Sequence, residues 1–222
     1  MYADVPEECP YPEERALVAS AVSKRVQEFT TGRHCARRAL ARLGVPAGPI
    51  LRGAWGAPAW PDRIRGSITH CTGYRAAAVA EASSVAAIGI DAEPHAALPP
   101  GMLRMISDAP EAAHVRGLLL DRPGTRWDRL VFSAKESTFK ALQPPPSWPT
   151  GVGAQKDVDF RDIVVSFEAD SSVFTARVAG AEPAARRNVA GRWTTGAGLV
   201  VTAVVVPAEP GVLARDVHAT YH

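Results

Sequence analysis

The sequence of 222 residues lacks the features that mark secreted, membrane and zinc-binding proteins. It has three cysteines and no CxxC pair, which argues against a disulfide framework and against the common zinc motifs. It has no apolar run of about 18 residues, and its first residues are acidic and rich in proline, unlike a secretory signal peptide. We therefore expect a cytoplasmic protein with reduced thiols and no membrane partner.

The sequence also lacks a large excess of positive or negative charge. Lysine and arginine number 25 against 23 aspartates and glutamates, and the net charge of +2 is too small to predict nucleic-acid binding. The sequence has neither a Walker phosphate-binding loop nor a GxGxxG motif, which excludes only the commonest nucleotide-binding folds. With 46% hydrophobic and 22% charged residues, the composition is typical of a globular protein of one large domain or two small ones.

The stretch Trp127 to Leu142 predicts a helix with two different faces. Small and apolar side chains recur at helical spacing along one face, at Trp127, Leu130, Val131, Ala134, Thr138 and Ala141. We expect Lys135, Glu136, Phe139 and Lys140 to lie together on the other face, with one carboxylate between two ammonium groups. A solvated surface with an exposed Glu136/Lys140 ion pair is the alternative interpretation.

A second acidic motif follows a short apolar run. Residues Val85 to Ile90 predict a buried strand, and Asp91 and Glu93 come next, with both side chains on the same face. Two neighbouring carboxylates repel each other unless a cation neutralises them, and Mg²⁺ prefers such oxygen ligands. The alternative interpretation is a strand that ends in a polar turn at Glu93-Pro94.

Together these motifs resemble the signature of the Sfp-type 4′-phosphopantetheinyl transferases, in particular the EntD-like branch and similar actinobacterial enzymes. Five blocks carry the resemblance in the correct order, over roughly Lys24 to Leu142. They are EFTTGRHCARRAL (Glu28 to Leu40), LRGAWGAPAWP (Leu51 to Pro61), SITHC (Ser67 to Cys71), GIDAE (Gly89 to Glu93) and FSAKESTFKA (Phe132 to Ala141).

The resemblance implies an α+β fold of two pseudo-symmetric lobes, each a small antiparallel sheet packed on a long helix. Residues 1–86 would form the N-terminal lobe and residues 87–222 the C-terminal lobe, with the active site in the cleft between them. The implied reaction transfers 4′-phosphopantetheine from coenzyme A to a serine of an apo acyl or peptidyl carrier protein and releases adenosine 3′,5′-bisphosphate. It depends on Mg²⁺, with Mn²⁺ as an alternative metal. The implied context is polyketide, nonribosomal peptide or siderophore biosynthesis, and the implied state is a monomer.

The resemblance also implies roles for individual residues. The metal ligands are Asp91, Glu93 and Glu136, with Glu93 bound either directly or through water. The catalytic residues are Glu136, which accepts the serine proton, and Lys140, which neutralises phosphate charge. The contacts to coenzyme A are Arg25, Arg33, Arg52, His70, Lys135 and Lys140.

Two other classes of function stay open at this point. The arginine-rich helix between Arg25 and Arg42 could belong to a nucleic-acid-binding domain, although the acidic motifs have no role there. A different Mg²⁺-dependent phosphohydrolase or nucleotide-binding module could use the same carboxylates.

The remaining pattern gives a coarse map of the fold. Pro12 to Leu43 predicts two helical segments, the second capped by Thr30 or Thr31, with Arg37 on a solvated surface. Thr72-Gly73 predicts a hairpin turn between two strands. Three further strands are predicted at 163–167, 173–178 and 199–206, the last of them central, and the proline-rich segment 143–158, which includes Trp148, predicts a loop.

Overall fold

The structure is a computed structural model, and it describes residues 4–5, 11–53, 56–142, 159–178 and 187–208. The helices are α1 (Pro12–Ala16), α2 (Ser23–Arg42), α3 (Met102–Ile106), α4 (Ala109–Asp121) and α5 (Trp127–Ala141), with a short 3₁₀ turn at Phe160–Asp162. The strands are β1 (Ile64–Cys71), β2 (Tyr74–Glu81), β3 (Val85–Pro94), β4 (Ile163–Glu168), β5 (Val173–Val178), β6 (Arg187–Gly196) and β7 (Leu199–Pro207). None of the described helices is long and apolar enough to cross a membrane.

The fold is α+β, as the sequence predicts, with two small antiparallel sheets. One sheet holds β1 and β2, and the other holds five strands in the order β3-β7-β6-β5-β4. The prediction that the most apolar run forms a central strand is confirmed, because β7 lies between β3 and β6. The hairpin at Thr72-Gly73 is also confirmed, with Gly73 in the left-handed region at φ 76° between the paired residues Cys71 and Tyr74.

The main core lies between α5 and the five-stranded sheet. Every residue of the stripe predicted for α5 is buried. Trp127 begins the helix and packs edge-on against Phe167 and Trp193, with ring centroids 5.5 and 5.3 Å away. The apolar face of α5 therefore packs against the five-stranded sheet, and this packing fixes the position of the helix that carries Glu136 and Lys140.

Strand β6 was missed by the sequence prediction. Its residues, RNVAGRWTTG, are mostly polar or small and do not alternate as an amphipathic strand would. Gly191 shows why a small residue is required there, since a Cβ at this position would lie 2.1 Å from the ring of Phe174. The strand is defined by packing against its neighbour more than by its own pattern.

Two helices lie between Pro12 and Leu43, as the sequence predicts, but the predicted start of the second at Thr30 or Thr31 is wrong. A single helix of 20 residues runs through Thr30 and Thr31, which are buried in its interior and cap nothing. The boundary between the two helices falls earlier, between the end of α1 and the start of α2. Arg37 also differs from its predicted solvated position, because its Nη1 lies 2.7 Å from Oε1 of the fully buried Glu14.

A second, smaller core joins α2 to the β1-β2 hairpin. Its buried members are Ala36, Leu40, Ile50, Trp60 and Ile64.

The predicted loop at 143–158, with its prolines and Trp148, lies outside the described residues.

Candidate active site

A close approach of β3 to α5 brings the two acidic motifs together. A Cβ on Gly89 would lie 1.8 Å from the main-chain oxygen of Ser137, so only glycine allows the strand to lie this near the helix. Asp91 follows two residues later on the strand, while Glu136 and Lys140 lie on the adjacent part of the helix. The glycine therefore determines the distance between the two halves of the acidic site.

Lys140 lies between the two principal carboxylates. Its Nζ is 2.8 Å from Oδ1 of Asp91 and 3.8 Å from Oε2 of Glu136, and it also donates to the main-chain oxygen of Ile90 at 3.3 Å. Asp91 is buried, and its second oxygen, Oδ2, has no hydrogen-bond partner among the described residues. A buried carboxylate oxygen without a donor is costly unless a cation or another donor reaches it.

Glu93 lies in the same electrostatic environment. Burial and the negative charge of Asp91 raise the pKa of Glu93 to about 7, although Arg129 opposes the shift. Arg129 Nη1 lies 3.0 Å from Oε2 of Glu93. The pKa of Glu136 is also raised, mainly by burial, with Lys140 acting in the opposite direction.

The donor chemistry of these residues fits a hard divalent cation. Carboxylate oxygens are the ligands that Mg²⁺ prefers, and a cation would relieve the mutual repulsion of Asp91, Glu93 and Glu136. The partnerless Oδ2 of Asp91 offers a ligand atom that is already free of hydrogen bonds to the described residues. Within the described parts of the chain, however, no three acidic, histidine or cysteine side chains are close enough together to form a ready metal site.

A cleft of about 280 Å³ brings most of the predicted cofactor contacts together. Among the predicted site residues, its lining includes Arg25, Arg33, Arg52, His70, Glu136 and Lys140. The apolar part of the lining includes Phe29, Trp60, Ile64 and Ile68. The cleft therefore combines cations, the carboxylates of Glu28 and Glu136, and an apolar wall.

His70 and Arg25 form a polar pair in this cleft. Arg25 Nη1 lies 2.9 Å from Nε2 of His70, and Nδ1 of the same ring lies 3.7 Å from Oε2 of Glu28. Burial lowers the pKa of His70 below its ordinary value of 6.5, while Glu28 opposes the shift. A neutral imidazole that accepts from Arg25 is consistent with both contacts.

The other two arginines predicted to contact coenzyme A, Arg33 and Arg52, are held differently. The guanidinium of Arg33 stacks over the ring of Phe29 at 3.4 Å, and its Nε donates to the main-chain oxygen of Ile50 at 2.8 Å. This side chain is largely buried and forms part of the wall. Arg52 is exposed and belongs to a loop that is closed by a bridge to Pro58.

Lys135 is not part of this cleft, so the prediction that it shares a face with Glu136 and Lys140 is wrong. Its Nζ is fully buried, 2.6 Å from Oε2 of Glu111, and donates to the main-chain oxygens of Ile106 and Phe160. Burial lowers its pKa, and the pairing with Glu111 opposes this shift. Adjacent residues on a helix point about 100° apart, and here that rotation turns Lys135 into the protein.

Two charged residues near the site were not singled out by the sequence. Arg129 precedes Glu136 by seven residues on α5, which is two helical turns, so the helical spacing could have placed both on one face. Glu28 follows Arg25 by three residues on α2. Their partners, Glu93 and His70, come from other elements, and no local pattern indicates those pairings.

Comparison with known proteins finds matches over most of the chain. The family model described as the 4′-phosphopantetheinyl transferase N-terminal domain matches residues 13–80, and the 4′-phosphopantetheinyl transferase superfamily model matches residues 87–203. The 4′-phosphopantetheinyl transferase Svp of Streptomyces mobaraensis is 50% identical over 205 residues, covering 90% of this chain and 80% of the relative. The 4′-phosphopantetheinyl transferase PptT of Mycobacterium tuberculosis is 42% identical over 219 residues, covering 93% of this chain and 90% of that protein. Enterobactin synthase component D of Salmonella typhimurium is 35% identical over 134 residues, or 59% of this chain and 53% of the relative.

Proposed function

Because the chain belongs to the 4′-phosphopantetheinyl transferase superfamily, as an enzyme of the Sfp type with EntD-like relatives, we propose that its donor is coenzyme A. The acceptor is a serine of an apo acyl or peptidyl carrier protein. The serine oxygen forms a bond to the phosphorus attached to pantetheine, and the bond from that phosphorus to the bridging oxygen of the diphosphate breaks. Adenosine 3′,5′-bisphosphate leaves with the bridging oxygen.

The observation that carries this proposal is the cleft that joins the basic side chains to the acidic site. Arg25, Arg52 and His70 offer donors that suit phosphate groups, and Lys140 lies at the carboxylates. The apolar wall, with Trp60 and Ile68, suits a flat ring such as adenine. Phosphoryl transfer needs positioning and charge neutralisation more than a protein nucleophile, and these side chains provide both.

We assign Asp91 and Glu136 as the principal ligands of Mg²⁺ or Mn²⁺, with Glu93 as a third ligand or the holder of a metal-bound water. When bound there, the metal supplies positive charge to the diphosphate of coenzyme A. Glu136 also accepts the serine proton as the reaction proceeds. Lys140 neutralises phosphate charge next to them.

Glu93 and Lys135 each already have a charged partner. One oxygen of Glu93 is paired with Arg129, which leaves the other for a direct or a water-mediated contact with the metal. Lys135 is buried with Glu111, so a contact between its ammonium and coenzyme A would require that pair to separate. We therefore propose that Lys135 supports the site from within the protein.

The enzyme acts as a cytoplasmic monomer of two pseudo-symmetric lobes, residues 1–86 and 87–222, with no nucleic-acid or membrane partner. The relatives named as components of enterobactin synthase support a carrier protein of siderophore biosynthesis as one acceptor. Burial of Arg33 and the internal pairing of Arg37 with Glu14 reduce the exposed positive charge of α2, which disfavours the nucleic-acid alternative.

A transfer assay tests the proposal directly. Purified protein, coenzyme A and Mg²⁺ are incubated with a panel of apo carrier proteins, and intact-mass spectrometry detects the added 4′-phosphopantetheine. A carrier whose acceptor serine is replaced by alanine is the matched control, and chelation of the metal should abolish transfer. Release of adenosine 3′,5′-bisphosphate at the same rate without any carrier protein would favour the phosphohydrolase alternative.

A further inference from the structure

Strands β1 and β3 belong to different sheets but are joined by side-chain hydroxyl groups. The main-chain nitrogen of Ile90 donates to Oγ of Ser67 at 3.1 Å, and that of Ala92 donates to Oγ1 of Thr69 at 3.0 Å. The two hydroxyl oxygens thus take the place of the carbonyls that a neighbouring strand would supply. They connect the β1-β2 hairpin to the strand that carries Asp91.

Thr69 makes one contact that Ser67 does not. Its hydroxyl also donates to Oδ1 of Asp91, with an oxygen-to-oxygen distance of 3.2 Å, and the threonine is only 2% exposed. The hydroxyl has one proton to give. Because its oxygen already accepts from Ala92, that proton is available to the carboxylate.

These contacts define which oxygen of Asp91 stays available. Oδ1 accepts from Thr69 and from Lys140, whereas the buried Oδ2 has no hydrogen-bond partner within the described part of the chain. Rotation of the carboxylate would weaken both contacts to Oδ1. The two donors together therefore hold Oδ2 in one orientation.

We propose that Thr69 is a positioning residue, whose hydroxyl orients Asp91 so that Oδ2 is presented to a divalent cation. The inference rests on the proposed function, in which Asp91 is a metal ligand. Groups that hydrogen-bond a ligating carboxylate fix its orientation, and their loss typically weakens metal binding by about 10- to 100-fold. The residue comes from the N-terminal hairpin, so the metal site depends on both sheets.

A purely structural role for Thr69 makes a different prediction, and Ser67 is the matched control. Both residues lie on β1, and both accept a main-chain N–H of β3, but only Thr69 contacts the carboxylate. Thr69→Val and Ser67→Ala each leave one N–H without its acceptor, so both should unfold at a lower urea concentration than the wild type. Only Thr69→Val should weaken metal binding.

The test measures binding of Mn²⁺ by electron paramagnetic resonance, in the absence of coenzyme A and carrier protein. We expect about tenfold weaker binding or more for Thr69→Val, and affinities close to wild type for Thr69→Ser and Ser67→Ala. Wild-type Mn²⁺ affinity in Thr69→Val, or equal loss in Thr69→Ser, would overturn the assignment to the hydroxyl. If Thr69→Val does not fold, Thr69→Cys replaces it, since a thiol is a weaker donor, and binding equal to that of Thr69→Ser would count against the proposal.

Failure of the proposed function looks different from failure of this inference. A wild-type protein that binds no Mn²⁺ contradicts the metal assignment itself, and the role of Thr69 falls with it. Wild-type binding that is unaffected in Thr69→Val contradicts the role of Thr69 alone.

Discussion

Lys135 Nζ lies 2.6 Å from Oε2 of Glu111, and neither side chain is exposed to solvent. The other oxygen of Glu111 accepts from the main-chain nitrogen of Val165 at 2.6 Å. The pair therefore ties α5 to α4 and to β4, on the side of α5 that faces away from the cleft. Lys135, which neighbours the proposed base Glu136, thus holds α5 in place.

Removal of Lys135 should destabilise the fold. Lys135→Ala leaves the carboxylate of Glu111 buried without its counter-ion, and loss of one partner of a buried pair typically costs about 3 to 5 kcal/mol. Urea denaturation followed by circular dichroism measures the loss. The double variant Lys135→Met with Glu111→Gln is the control, because it removes both charges and keeps an acceptor for Val165, and it should recover part of the stability. A stable Lys135→Ala variant with weakened binding of coenzyme A would instead support the phosphate contact.

The contact between Gly89 and α5 predicts a second large effect on stability. Gly89→Ala places a methyl group where the main chain of Ser137 and Ala141 now lies, so strand and helix must separate. Overpacking of this kind costs about 1 to 3 kcal/mol, and more where main-chain atoms must move. Gly117→Ala is a suitable control, because a Cβ there meets nothing within 4 Å and alanine is the better residue in a helix. Thermal unfolding should show a lower midpoint for the first variant and an unchanged or higher one for the second.

Much of the fold could be predicted because its patterns are local. The buried stripe of α5 recurs at helical spacing, and the apolar runs of β3 and β7 are nearly continuous, so each of these signals lies within a single element. Strand β6 could not be predicted in this way. Its polar sequence becomes a strand because β5 and β7 pair with it on either side and because Gly191 makes room for Phe174.

The residue types of the site could be predicted from the sequence, but the directions in which the side chains point could be predicted less well. Helical spacing fixes the angle of Lys135 relative to Glu136, but it does not reveal that Lys135 pairs with Glu111. The pairing of Arg129 with Glu93 and the contact of Thr69 with Asp91 join residues far apart in the chain. Such contacts depend on the tertiary fold, and one sequence read element by element does not contain them.

The lowered pKa of His70 predicts acid-sensitive stability. Its folded-state pKa lies below the ordinary value of 6.5, chiefly because of burial, so the unfolded chain binds a proton that the folded protein does not. Stability should therefore fall as the pH drops from about 6.5 towards the folded-state pKa. In His70→Gln this contribution is absent, and urea midpoints measured from pH 7 downward should decline less steeply. Identical slopes for the two proteins would show that the folded protein protonates His70 as readily as the unfolded chain does.

The carboxylates of the proposed metal site should be separable by conservative substitution. Asp91→Asn and Glu136→Gln keep the shape of each side chain and remove its charge, so both should stay folded. Loss of a general base typically costs about 10²- to 10⁴-fold in rate, and we expect a reduction of this size for Glu136→Gln at saturating Mg²⁺. Asp91→Asn should lose most of its transfer activity, and Glu93→Gln should lose less if that residue acts through water. Near-normal transfer by Asp91→Asn, measured by carrier-protein mass, would contradict its assignment as a ligand.

Lys140 distinguishes a surface ion pair from a phosphate contact. If it merely paired with Glu136 on a solvated helix, its loss would cost a few tenths of a kcal/mol and leave activity intact. The structure already differs from that picture, because the closest partner of Lys140 is the buried Asp91 on β3, at 2.8 Å. We expect Lys140→Ala to lose stability, since Asp91 then loses its counter-ion, and also to lose affinity for coenzyme A.

The size of the affinity loss is what identifies the contact. A charge-assisted hydrogen bond to phosphate contributes about 1.5 to 3 kcal/mol, so Lys140→Ala should bind coenzyme A roughly ten- to a hundredfold more weakly in calorimetry. Lys140→Arg keeps the charge but presents a planar fork in place of a compact ammonium, and it should recover only part of the affinity. Lys140→Met is the control for the aliphatic stem and should behave as alanine does in binding. Because affinity is measured on folded protein, a loss of stability alone would leave it unchanged, and unchanged affinity with unchanged turnover in Lys140→Ala would remove this residue from the site.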